Sequence, residues 1–493
     1  MKCLIYIFKK NKMFKRIFLV FIFTCWILNL CSQTFNVKIT DSITDDSIAY
    51  ANVYFSNNNG LITDDSGNFE LIKSQLSKND SMYVSMIGYN KKSFFLNDFN
   101  DSLIKLVQSP IKLSDVVLTN KKLSSEEIIS NVAKSIENNY ERGITENKIY
   151  LSRKSNSITE KFTIDKFKST VPEINKSLID SLLVNLTKEN NSGLETLAYY
   201  YRNFDDEAQK IKIIKSRETY NKEGEVLESI NKKMEEAFKN ELKADSYFKI
   251  KSGLFGGDLD VEGLEEIDST DVESVKKFKE KEIKEKDDFA NNQIRIINRL
   301  YNSLFFEKNS YLNFILKPNK YIFSKPKLNV LGNELVYIIE ATPKGRGKYS
   351  GKLYINSEDF ALVRVDFKNI KPVYNLKLLG IFVNIYLRDG KMILSKFENK
   401  KYSLSYSKIN FGRRVGFDRP IKLIEKNKNV KGRRKQNEIS FRMDIVSDEK
   451  STTELQVFES KIISKDKFEE IKTNNDVIPE YLEDFTTNFW EEF

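Results

Sequence analysis

Tyr349-Ser-Gly-Lys-Leu-Tyr-Ile-Asn-Ser-Glu-Asp-Phe-Ala-Leu-Val-Arg-Val-Asp366 holds two strand-like runs around a polar turn, Asn356-Ser-Glu-Asp359. Such runs on either side of a short turn read as an antiparallel hairpin. The same grammar continues outward. Further strands are expected at Tyr321–Phe323, Leu335–Ala341, Phe382–Leu387, Met392–Phe397, Tyr402–Tyr406 and Ile439–Val446, with turns at Leu331-Gly-Asn, Gly345-Arg-Gly347 and Arg388-Asp-Gly390. Residues 311–470 are therefore expected to form an antiparallel sheet domain, curved or partly closed.

At the other end of the chain, basic residues (Lys9, Lys10, Lys12, Lys15, Arg16) precede an apolar run from Ile17 to Leu30. This is the pattern of a secretory signal peptide over residues 1–32, with Met13 an alternative start. The run is short for a membrane span, which needs about 20 residues. Cleavage after Ser32 is expected; lipidation at Cys31 is the alternative, disfavoured by Leu30 before it. Cleavage changes the chemistry. The full chain has 80 basic and 70 acidic residues, a net +10, but the leader holds six of the basic ones and no acid. Removing six leaves 74 against 70, a net +4, so little supports nucleic-acid binding. All three Cys (Cys3, Cys25, Cys31) lie in the leader and the chain has no His. Imidazole triads, thiolate nucleophiles, His- or Cys-ligated metals and disulfides are excluded from the mature chain. No cofactor is expected.

Residues 33–110 alternate with period two. Phe35, Val37 and Ile39 are followed by Ala51, Val53 and Phe55, then Phe69 and Leu71, then Met82, Val84 and Met86. Asn57-Asn-Asn-Gly60 and Asp64-Asp-Ser-Gly-Asn68 are turn signals, the second placing Gly67 at positive φ. Short strands at this spacing indicate an antiparallel β-sandwich. The ordered elements Ala51-Asn-Val-Tyr-Phe55, Thr63-Asp-Asp-Ser-Gly-Asn-Phe69 and Val84-Ser-Met-Ile-Gly-Tyr89 resemble the carboxypeptidase-regulatory-like domain. That family, transthyretin-like or peptidase-associated, is common in Bacteroidota envelope proteins. The likeness covers about residues 34–107. It implies a non-catalytic β module beside other domains. A zinc carboxypeptidase in its usual form needs His ligands that this chain lacks. Leu113-Ser-Asp-Val-Val-Leu118 resembles the strand ending this module in TonB-dependent receptors, but the next 170 or so residues are largely polar and helix-like, not the alternating strands that their barrel needs.

Between these regions, residues 111–145 read as a linker strand and a helix. Ser124-Ser-Glu-Glu127 is a capping box, and Ile128, Ile129, Val132, Ala133 and Ile136 share a helical face. Residues 146–310 read as mixed α/β with charged helices. Segments 226–243 and 269–286 look helical, and a helix continues through Ile294, Ile297, Tyr301, Leu304 and Phe305. Lys249-Ile-Lys-Ser-Gly-Leu-Phe-Gly-Gly257 reads as a Gly-punctuated turn. The tail, residues 471–493, is acidic and aromatic and is expected to dock on the protein's own surface or a partner. The fold class is thus multidomain and mainly β with helical insertions.

Candidate sites are few. Lys422–Lys435 carries seven basic residues and one Glu. Lys431, Arg433, Arg434 and Lys435, with Arg413 and Arg414, are read as an anionic-surface contact, toward lipid head groups or lipopolysaccharide phosphates. Ser274-Val-Lys-Lys277 and Ser464-Lys-Asp-Lys467 fit the Ser-Lys nucleophile pattern but lack its companion motifs. No catalytic residue is assigned. The 349–366 hairpin also resembles the half-barrel of periplasmic lipoprotein carriers, a likeness that implies an apolar face toward lipid. The expectation is a non-enzymatic, exported envelope protein, periplasmic or outer-membrane associated. Its sandwich is an interaction module and its C-terminal sheet a binding platform. Its partner is an envelope protein or outer-membrane component, with peripheral membrane contact and no nucleic acid. The alternatives are a carboxylate or Ser-Lys hydrolase and a carrier of a lipid-like ligand.

Overall fold

The computed structural model describes residues 34–48, 51–55, 60–63, 66–72, 81–86, 89–107, 123–184, 188–204, 209–219, 246–252, 255–259, 289–331, 334–397, 400–427, 435–473, 477–483 and 489. The leader, the 113–118 strand, the helices expected at 226–243 and 269–286, and Lys431, Arg433 and Arg434 lie outside them. The chain divides into two compact units, residues 1–112 with 487–493, and residues 113–486.

The first unit has β1 (Thr34–Asp41), β2 (Asn52–Phe55), β3 (Gly60–Ile62), β4 (Asn68–Ile72), β5 (Ser81–Ser85), β6 (Lys92–Phe95) and β7 (Leu103–Leu106). They form two sheets, β4-β1-β7 and β3-β2-β5-β6. All pairs are antiparallel except β1 with β7. Val37, Ile39, Phe69, Val53, Met82 and Val84 from both sheets share one buried core. The motifs have mechanical roles. Gly67 sits at φ +77°, and a Cβ there would lie 2.7 Å from the Ile39 carbonyl oxygen, so only glycine fits the turn. Buried Thr63 accepts from the Ala51 N–H and donates to the Ile48 carbonyl, each at 2.9 Å. Tyr89 donates at 2.8 Å to Asp41, whose other oxygen accepts from the Ile43 and Thr44 N–H groups. Burial, and then the bond to Asp41, push the Tyr89 phenol well above its usual range.

The second unit holds α1 (Ser125–Asn139), β8 (Thr145–Ser169), α2 (Lys176–Val184), β9 (Glu189–Arg202), β10 (Lys210–Thr219), β11 (Ser246–Ser252), β12 (Phe255–Leu259), α3 (residues 289–301), β13 (Tyr321–Phe323), β14 (Lys327–Leu331), β15 (Glu334–Pro343), β16 (Tyr349–Asn356), β17 (Leu362–Asn369), β18 (Tyr374–Leu378), β19 (Ile381–Lys396), β20 (Tyr402–Asn427), β21 (Lys435–Ile462), α4 (Lys465–Glu470) and β22 (Glu480–Leu482). All fifteen strands join one sheet. Its main path runs β13-β15-β16-β17-β19-β20-β21-β8-β9-β10-β22, a path with two ends. Pairing is antiparallel except β10 with β22.

This differs from the expected layout in three ways. First, β8, β9 and β10 belong to the same sheet as the C-terminal strands, so boundaries at 145/146 and 310/311 fall inside one unit. β8 finds its partner in β21, almost 300 residues later, a pairing that local pattern does not reveal. Second, Arg388-Asp-Gly390 is strand interior, not a turn. Gly390 lets the Lys408 carbonyl approach to 2.1 Å of where a Cβ would stand, and Asp389 accepts from Asn410 at 2.7 Å across the pair. Third, Lys249–Ser252 and Phe255–Gly257 are strand, paired with each other in β11 and β12.

The capping box forms as read: Glu127 N–H donates to Ser124 Oγ at 3.2 Å, and Ser124 N–H to Glu127 at 2.8 Å. Ile128, Ile129, Val132 and Ile136 are buried, while Ala133 faces solvent. α3 ends at residue 301, but Leu304 and Phe305 in the following turns stay buried with it. Both helices pack in the core of the sheet with Leu151, Leu353, Leu394, Leu404 and Leu455. Tyr140 fixes α1 to β17: its hydroxyl accepts from the Leu362 N–H at 2.6 Å and donates to the Leu362 carbonyl at 3.2 Å. No helix among the described residues is long and apolar enough to cross a membrane.

Candidate apolar face and arginine-lined cavity

Four long strands, β8, β19, β20 and β21, run through and beyond the region that the helices cover. Side chains alternate along a strand, and opposite partners share a face. Leu151, Met392, Ser407 and Leu455 therefore mark the helix-covered face near its buried end. The same face can be followed outward, row by row. One row is Leu378, Ile381, Phe417, Ile445 and Phe162, apolar on five consecutive strands. The row before it holds Leu376, Val383 and Val415, then Ser447 and Thr159; beyond it Met443 pairs with Ile164. Five strands span about 19 Å at the usual strand spacing.

None of these apolar side chains is buried. Leu376 and Leu378 of edge strand β18 are 38% and 57% exposed, and the others are half-buried. At the far tip, Val171 and Ile174 fold over Ile439, with Phe167, Leu423 and Phe441 beside them. The open field lies between that small cluster and the main core. Exposed contiguous apolar surface of this kind marks an interaction or ligand site more often than a random surface does.

The reverse face of the same strands is charged. Arg414 pairs with Glu160, Lys161 with Asp444, and Arg442 with Asp418, and Tyr386 donates to Asp448 at 2.7 Å. Phe382 lies across Gly416, and Tyr386 across Gly412, where any Cβ would collide with the rings. Hydrogen bonding to Arg442 holds the Asp418 carboxyl below its usual range.

Where the apolar field meets the helices there is a cavity of about 490 Å³. Arg153, Arg388 and Arg413 enter it from three strands and Arg299 from α3, beside Leu300, Tyr311, Ile409 and Phe411. Glu449 is its one carboxylate. It accepts from Arg413 at 2.6 Å and lies 3.7 Å from Arg153. Arg388 is held by rings instead, its guanidinium 5.2 Å from the Tyr311 centroid and 5.5 Å from Phe411, with Tyr349 Oη at 3.4 Å. A second cavity, of about 570 Å³, is lined mainly by polar residues, including Lys154, Asn156, Asn191, Asn410, Lys450 and Thr452, with Glu483 its one carboxylate.

The basic residues singled out in the sequence are not brought together. Arg413 and Arg414 are consecutive in β20, so they point to opposite faces and pair with Glu449 and Glu160. Lys435 pairs with Glu438. Ser464 is the N-cap of α4, accepting from the Lys467 N–H at 3.2 Å, and Ser274–Lys277 lies outside the described residues. Arg153, Arg299 and Arg388 were not singled out. They stand in three distant segments, and only Arg388, set in an apolar run, carries a hint of its own. A strongly displaced phenol in the main core is that of Tyr402. Burial, then the charges of Glu334 and Asp359, hold it far above its usual range. Tyr402 donates to Asp359 at 3.1 Å, and Lys396 reaches the same carboxylate at 2.9 Å. None of these residues lines either cavity, so the cluster reads as structural.

Residues 38–118 match the CarboxypepD_reg-like domain family, a regulatory, non-catalytic module; the match spans under a fifth of the chain. No curated protein matches the sequence. Among solved structures, a Vibrio parahaemolyticus domain described as an outer membrane lipoprotein-sorting protein domain is 9% identical. It aligns over 69% of this chain and 95% of its own, with a TM-score of 0.20. A superposition that loose bears on neither fold nor ligand.

Proposed function

We propose that this chain is a non-enzymatic, exported envelope protein of a Gram-negative cell, and that its large sheet is a binding platform for an amphiphilic, lipid-like ligand. The observation that carries the reading is the five-strand apolar row, Leu378 to Phe162, left unburied on the face that helices cover elsewhere. The leader-like residues 1–32 and the carboxypeptidase-regulatory-like module support the compartment. In this reading the sandwich recruits an envelope partner and the sheet holds cargo. The rival carboxylate hydrolase is less well supported, because each of the two cavities lined by described residues carries one carboxylate and paired-acid hydrolysis needs two.

The test is titration of the delipidated full chain with N-phenyl-1-naphthylamine, a neutral probe that brightens in apolar surroundings. Saturable brightening is expected, abolished by Phe417→Lys with the far-UV spectrum unchanged. No brightening, or brightening indifferent to Phe417→Lys, overturns the platform.

A further inference from the structure

Resting on that platform reading, we infer that the arginine-lined cavity is the head-group end of the site, and that it selects a single-chain amphiphile with an anionic oxygen head, carboxylate or phosphate. The first argument is charge. Arg153, Arg299, Arg388 and Arg413 surround the cavity with one carboxylate, Glu449, among them. Glu449 already lies within ion-pair distance of both Arg153 and Arg413. Among the described residues no carboxylate pairs with Arg299 or Arg388. Arg388, half-buried with no carboxylate beside it, and a buried Arg153 Nε that has no hydrogen-bond partner leave donors for an anion, while Arg299 and Arg413 are exposed and add positive charge at the mouth. A guanidinium fork matches the two oxygens of a carboxylate or phosphate.

The second argument is position. Arg413 is two residues from Val415 on β20, and Arg388 is the next inward-facing side chain after the bulge that follows Ile385. Cationic wall and apolar field are therefore consecutive rows of one face. From Glu449 to Ile439, where the tip cluster closes the face, β21 runs ten residues, about 33 Å. A head anchored at one end and a chain laid along the rows satisfies both parts of the surface. An uncharged apolar ligand leaves the arginines unpaired, and a small free anion leaves the field open.

The experiment measures competition against the bound naphthylamine probe by four ligands: hexadecanoic acid, hexadecyl phosphate, hexadecanol, and acetate or inorganic phosphate alone. The wild-type chain and an Arg299→Gln/Arg388→Gln double variant are compared. Expected is a preference of about tenfold or more for the acid or the phosphate ester over hexadecanol, the worth of one charge-assisted contact. That preference is lost in the double variant, while the affinity for the neutral probe is unchanged. Equal affinity for acid and alcohol overturns the head-group site and leaves the platform standing. Displacement by acetate or phosphate as effectively as by the long-chain ligands reduces it to a simple anion site and overturns it. Failure of the neutral probe and all long-chain ligands to bind overturns both readings.

Discussion

The same four strands cross two different environments. Near β16 and β17 their inward side chains are buried under α1 and α3; twenty to thirty ångströms further on, side chains of the same type and the same alternation are half-exposed. The inner half is held by burial and by buried polar contacts. The outer half is held by its ladders of backbone bonds and by cross-strand ion pairs on the reverse face. Apolar residues that repeat without being buried contribute little to folding for their area. They are surplus to the fold, and that is what makes them available to a ligand.

The contrast can be broken most directly with one aromatic from each half. Phe305, 1% exposed and in edge contact with Tyr140 at 5.3 Å, is expected to cost about 3–5 kcal/mol as Phe305→Ala. Phe417→Ala is expected to cost about 1 kcal/mol. Urea unfolding measures both, and equal losses would show that the outer face is packed in solution. Next in size is the buried ion pair on the inner half of the reverse face. Arg217 donates to Glu195 at 2.6 Å, with Tyr150 on the other oxygen. Glu195→Ala leaves a buried guanidinium uncompensated and is expected to cost about 3–5 kcal/mol, less if water enters. Tyr140→Phe strips the Leu362 N–H and carbonyl of their partner and is expected to cost about 1–3 kcal/mol.

The smallest effect belongs to the outer half and to pH. Asp418 and Glu438 are both held below the usual carboxylate range, chiefly by hydrogen bonds from Arg442 and Lys435. Depressed folded values mean the contribution is complete above the unfolded pKa and lost as pH falls through the folded one. Hydrogen exchange at residues 418–427 and 435–444 is therefore expected to accelerate on acidification below about pH 4, before that of residues 402–407. Uniform acceleration would erase the distinction between the halves.

Much of this was legible in the sequence. The sandwich declares itself through turn chemistry, because Gly67 and Thr63 each have one conformational or hydrogen-bonding job that few residues perform. The hairpin at 349–366 is equally plain, since its partners are neighbours in sequence. The long strands were harder. Arg388-Asp-Gly390 carries a turn signal that cross-strand pairing with Asn410 overrides. The candidate site was the least legible. Alternation tells which residues share a face but not where helices stop covering it, and Arg413-Arg414 looks like one patch only until strand geometry sends the two side chains apart.

The pairing of β8 with β21 also sets a schedule. Residues 145–169 leave the synthetic machinery long before residues 435–462, at about 5–20 residues per second. Their free edge then waits about 15–60 s for its mate. During that interval the growing polypeptide holds a sticky, half-built ribbon, and its fate rests on whatever escorts it until residues 435–462 arrive.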